Sequence, residues 1–142
     1  MKQILSNDII NQYMPTLVKC PLFNTLGEPE LRGYLNNAKV IIHSYQKNDF
    51  IALAGDPMEG IGVILEGSAL LTRENVMGQR VIMANLEQSD IFGEALLFSK
   101  QPLWPATIKA TKATKIMFIP LETFIKTYRI VINAKLKSYL IY

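Results

Sequence analysis

The apolar positions of this chain change period twice. Near the start, Ile9, Ile10, Tyr13 and Met14 recur at helical spacing until Pro15 interrupts them. A second helix start follows at Gly27-Glu28-Pro29-Glu30-Leu31. Pro29 suits a first turn, and the acids on either side of it sit where the helix dipole favours them. Leu31, Tyr34 and Leu35 then face a core.

From Val40 to Ile119 the segments become short, β-branched and punctuated by turn residues. Val40–Tyr45, Phe50–Leu53, Gly62–Leu65, Ser68–Arg73, Gln79–Leu86, Thr107–Lys112 and Lys115–Ile119 read as strands, and Asn75-Val76-Met77-Gly78 as a hairpin turn. Strands this short and evenly spaced predict a sandwich, jelly roll or barrel, not a parallel sheet. After Pro120 the helical period returns through Leu121, Phe124, Ile125, Tyr128, Ile132, Leu136, Tyr139 and Leu140, as one helix or as two with a break near Tyr128-Arg129. That helix reaches the last residue without a terminating Gly or Pro. The expectation is a cut chain, or a helix that buries itself against a partner.

The chain's 142 residues suit one domain, and its apolar share of 49% is enough for one real core. A net charge of +3 does not indicate nucleic-acid binding. The densest basic run, Lys109, Lys112 and Lys115, alternates with Ala and Thr as a solvated strand face does. The lone Cys20 excludes an intrachain disulfide and fits a reducing cytoplasm. Neither a signal peptide nor an apolar run of the roughly 20 residues a membrane span needs is present.

The order of these signals resembles the N-terminal, cyclic-nucleotide-binding-like effector domain of the catabolite activator protein and FNR (Crp/Fnr) family of regulators. The residues that carry the likeness are Pro21-Leu22-Phe23, Glu30-Leu31, Lys47-Asn48-Asp49-Phe50-Ile51, Gly55-Asp56-Pro57, Ile64-Leu65-Glu66-Gly67, Gly78-Gln79-Arg80 and Asp90-Ile91-Phe92-Gly93-Glu94. Two usual glycines are replaced, by Asn48 and Ser89. Asn tolerates a left-handed backbone and Ser less readily. The resemblance implies a mainly β double-stranded β-helix, or jelly-roll barrel, with flanking N-terminal helices over residues 1–127. It further implies the start of a dimerisation helix over 128–142, with Tyr128, Ile132, Leu136, Tyr139 and Leu140 at a homodimer interface. DNA would be read only through a helix-turn-helix domain that this chain lacks, and the implied protein is a cytoplasmic regulator, not an enzyme.

In cyclic-nucleotide binders of this fold, a Gly-Glu pair opens a short turn whose N–H groups face the phosphate. An Arg about ten residues later makes a forked contact to that phosphate, and a Ser or Thr follows. Gly93, Glu94 and Ala95 match the turn, but the Arg position falls on Trp104 and the next on Pro105, with Thr107 beyond. An uncompensated phosphate in a half-dry pocket would cost several kcal/mol, so tight cyclic AMP binding is not expected. Trp104 either stacks on a small effector of another kind or plugs the pocket. Glu94 either contacts a ligand or caps local backbone.

Other classes are weaker. A cupin-like metalloenzyme needs more nitrogen ligands than His43, which reads as an ordinary strand residue. Cys20 has no nearby His to make a nucleophilic pair. An iron–sulfur sensor needs several cysteines, and a haem sensor would rest on Cys20 or His43 alone. No cofactor or metal is expected. A ligand-free dimerising module on the same fold remains open beside the sensor.

Overall fold

The structure is a computed structural model that describes residues 2–96 and 99–126, the first three of them by backbone alone. After a three-residue strand at Lys2–Ile4 come two helices, α1 (Asn7–Leu17) and α2 (Glu28–Asn37). In α1, Ser6 Oγ accepts the Ile9 N–H at 3.4 Å, and one face buries Ile10, Tyr13, Met14 and Leu17. Pro15 was expected to end this helix, yet the helix runs on to Leu17. Proline removes only one backbone donor this close to the end, and Leu17, 1% exposed, holds the last turn to the core. In α2, Pro29 sits in the first turn as expected, and Leu31 and Leu35 are buried.

Among the described residues, nine strands follow the jelly-roll pattern, in two antiparallel sheets. The first sheet has the order β1 (Lys2–Ile4), β2 (Ile41–Tyr45), β9 (Thr114–Pro120), β4 (Gly60–Glu66) and β7 (Ile91–Phe92). The second has the order β3 (Phe50–Ala52), β8 (Thr107–Ala110), β5 (Ala69–Glu74) and β6 (Arg80–Leu86). The strands β1 and β7 were not expected from the sequence. They have three and two residues, too few for alternation to register. Central strand β4 is buried from Gly60 to Leu65, which explains its unbroken apolar reading: both of its faces are covered. A side chain at Gly62 would overlap the Phe92 ring, so glycine there lets β7 close the barrel.

The turns match the sequence closely. Asn75 Oδ1 accepts the N–H groups of Met77 at 3.0 Å and Gln79 at 2.9 Å, and this side chain shapes the β5–β6 hairpin. The residues replacing the two usual glycines both hold left-handed backbone, with φ 74° at Asn48 and at Ser89. Ser89 is secured by its N–H donating to Ile64 O at 2.9 Å and its hydroxyl donating to Thr16 O at 2.9 Å. The first bond ties the β6–β7 corner to β4 and the second ties it to α1.

The core is continuous from the helices into the barrel, with Phe23, Ile61, Val63, Ile64 and Ile116 fully buried. Residues 121–126 are helical, and Phe124, 1% exposed, packs into the same core. A buried ring of this size is worth about 1.5–3 kcal/mol. The expected interface residues Tyr128, Ile132, Leu136, Tyr139 and Leu140, and the boundary at 127/128, lie outside the described residues. Among the described residues no helix is long and apolar enough to cross a membrane.

Candidate functional site

Backbone pairing places Trp104. Trp104 N–H donates to Asp56 O at 2.9 Å, Gly55 N–H to Trp104 O at 2.8 Å, and Met58 N–H to Pro102 O at 2.9 Å. Pro57 and Leu103 bridge between them. The segment before β8 is thereby zipped to the loop after β3, and the indole turns inward until it is 8% exposed. There it meets Gly93, at φ 94°. A methyl group on Gly93 would come within 2.9 Å of Met58 Cε and 3.3 Å of Trp104 Cζ3. Glycine is therefore needed twice at this position, for its backbone angle and for the close approach of the indole.

The expected pocket residues separate into three groups. Gly93 and Trp104 are in contact. Glu94 and Ala95 form part of a 3-10 turn, Glu94–Leu96, and both are exposed. Leu97 and Phe98, the two residues after it, lie outside the described residues. Pro105 and Thr107 line a different cleft, of about 430 Å³, together with Thr72, Arg73 and Arg80. Thr107 Oγ1 accepts the Ala54 N–H at 3.2 Å. Neither Arg73 nor Arg80 was expected at the pocket, although Arg80 belongs to the Gly78-Gln79-Arg80 segment that carries the resemblance.

Trp104 also begins a row of rings. Its centroid is 5.8 Å from Phe92, Phe92 is 6.1 Å from Phe118, Phe118 is 5.6 Å from His43, and His43 is 6.1 Å from Tyr45. The row crosses the first sheet from β7 through β9 to β2. Its far part opens into a cleft of about 210 Å³ lined by His43, Tyr45, Trp104 and Phe118, with Asp56 and Glu59 among the other lining residues. Sequence reasoning took His43 as an ordinary strand residue. The available signal was its spacing from Tyr45, which puts both on one face of β2. Tyr45 is held far from ionising, pushed up to about 12 by burial and then by the charges of Asp49 and Glu59.

Cys20 is fully buried, and burial pushes its thiol up to about 11. A thiol so placed is a packing element, not a nucleophile. Among the described residues no group of three or more His, Cys, Asp or Glu stands close enough to hold a metal ion. Of the basic run, Lys115 Nζ pairs with Glu66 Oε1 at 3.2 Å, and Lys109 Nζ lies 5.6 Å from the centre of the Phe50 ring.

Residues 42–130 match the cyclic nucleotide-binding domain family. The chain belongs to that family. It is 31% identical over 97 residues to the cAMP-activated global transcriptional regulator CRP of Pasteurella multocida (strain Pm70), covering 68% of this chain and 46% of that protein. It is 30% identical over 84 residues to the cAMP-dependent protein kinase regulatory subunit of Dictyostelium discoideum, covering 57% of this chain and 25% of that one. The match thus spans less than half of either relative. Among solved structures, the sensor domain of the transcriptional regulator DNR from Pseudomonas aeruginosa superposes with a TM-score of 0.74 at 19% identity, over 94% of this chain and 91% of that one. The catabolite activator protein of Thermus thermophilus gives 0.69 at 23% identity, over 84% and 58%. At these identities the likeness establishes the fold. Within this cyclic nucleotide-binding domain, the indole of Trp104 occupies the space beside Gly93.

Proposed function

We propose that this chain is the effector-sensing and dimerising part of a Crp/Fnr-type transcription regulator that does not bind cyclic AMP tightly. One observation carries the reading: the buried indole of Trp104 fills the space beside Gly93. A phosphate entering that space must displace an aromatic ring held by two backbone hydrogen bonds of its own residue. It would then find neither the fork-shaped contact of an Arg nor the hydroxyl of a Ser, because Pro105 follows. The regulator would be cytoplasmic and non-catalytic, and would reach DNA through a further domain of a longer protein.

Signalling on this reading is a population shift. An effector whose contacts differ between two states changes the geometry of the paired C-terminal helices, with Tyr128 and Ile132 as relays. The burial of Trp104 also favours a second reading, in which the barrel holds no small molecule and serves as a dimerising platform. A calorimetric titration with cyclic AMP tests the first proposal. No saturable heat at micromolar nucleotide is expected, and micromolar binding would overturn it.

A further inference from the structure

The cleft formed by His43, Tyr45, Trp104 and Phe118 differs in charge from a phosphate site. Its ionisable lining residues besides His43 and Tyr45 are Asp56 and Glu59, both carboxylates on the exposed rim, and no Lys or Arg is among the described residues that line it. The charges acting on Tyr45, after the larger effect of its burial, have the same sign. The charges of Asp49 and Glu59 both make the Tyr45 hydroxyl harder to ionise, which is the effect of negative potential at that atom. The rings of Tyr45, Trp104 and Phe118 add to this, since the faces of such side chains attract cations and repel anions.

The volume, about 210 Å³, falls below the roughly 300–1,000 Å³ of pockets for drug-sized ligands. A small occupant fits, with an apolar body against Ile51, Ala52 and the rings, and a charged end at the rim near Asp56 and Glu59. From these observations we infer that the effector cleft of this domain takes a small organic cation, an aryl or alkyl amine, in place of an anionic nucleotide. The inference rests on the sensing reading above and names the ligand class for it. Binding would be reported directly by Trp104, the single tryptophan of the chain and a wall of the cleft.

The test is a titration of Trp104 fluorescence in the full 142-residue chain with three matched probes: phenethylamine, phenethyl alcohol and phenylacetate. Phenethylamine is expected to change the emission saturably at millimolar or lower concentration. The alcohol should bind about tenfold more weakly or worse, a difference of 1.4 kcal/mol, and phenylacetate should not bind. The double variant Asp56→Asn/Glu59→Gln, at two exposed positions, should weaken phenethylamine by at least about tenfold without changing the fold. A flat phenethylamine titration, equal binding of amine and alcohol, or an unchanged affinity in the double variant would each overturn the inference. Cyclic AMP in the same assay separates the two claims. Micromolar nucleotide binding defeats the sensing proposal, whereas a silent nucleotide with equal amine and alcohol binding defeats only the cation assignment.

Discussion

The indole of Trp104 lies so close to Gly93 that a methyl group added there would meet Cζ3 at 3.3 Å and Cη2 at 3.4 Å. Gly93 also holds φ 94°, where a side chain is strained whatever the available space. Gly93→Ala is therefore expected to destabilise the domain by about 1–3 kcal/mol. Urea unfolding should show a lower midpoint with an unchanged slope. A variant as stable as the parent would mean that the indole does not rest there.

Trp104→Ala tests the same contact from the other side. Removal of a large buried aromatic residue costs about 3–5 kcal/mol when the site cannot collapse. The ring row through Phe92 and Phe118 makes collapse difficult, because each ring is braced by the next. A loss below about 1 kcal/mol, the range of ordinary surface substitutions, would show that Trp104 is a loose lid and not a plug.

Ser89 and Asn48 share a left-handed φ of 74°, but only Ser89 adds a side-chain bond to α1, to Thr16 O at 2.9 Å. Ser89→Ala keeps the strain and loses the bond, a cost of about 1 kcal/mol. Ser89→Gly relieves roughly 1–2 kcal/mol of left-handed strain and so offsets that loss. Thermal melts should therefore rank parent and Ser89→Gly close together, with Ser89→Ala clearly below both. The reverse order would remove the hydroxyl from the account.

Alkaline pH should unfold the domain through its buried acids. Cys20 rises from 9.0 to about 11 and Tyr45 from 10.0 to about 12, both chiefly through burial. In each case the unfolded chain releases its proton first. The contribution to stability is complete below the ordinary values and is lost as pH climbs through the folded ones. Stability should hold up to about pH 9 and fall steadily toward pH 12. At pH 8 iodoacetamide should label Cys20 far faster in urea than in the native chain. Equal labelling rates would contradict its burial.

Dimerisation is tested outside the described residues. On the proposed dimer, Ile132→Asp should shift elution on a sizing column toward the monomer, because burying an unpaired charge in an interface is costly. An unchanged elution volume would count against Ile132 as an interface residue.

Much of the fold was legible because most strands carry five or more residues of β-branched texture. The hairpin at Asn75 was legible because its side chain writes the turn. Strands β1 and β7 were not, since two or three residues carry no period. Pro15 misled because a local rule about helix interruption was outweighed by the burial of Leu17 in the core. The candidate site was half legible. Gly93 and Trp104 could be paired from the spacing of a family motif. The cleft of His43, Tyr45, Phe118, Asp56 and Glu59 draws on β2, the loop between β3 and β4, and β9, and no local pattern joins residues so far apart in sequence.

The central claim is that Trp104 and Pro105 exclude the phosphate that an Arg and a Ser would hold. The most direct measurement compares the cyclic AMP affinity of the parent chain with that of Trp104→Arg/Pro105→Ser, by calorimetry at one salt concentration. The parent should show no binding at micromolar nucleotide, and the double variant should bind at least about tenfold more tightly than the parent. Micromolar binding by the parent, unchanged in the double variant, would contradict the account.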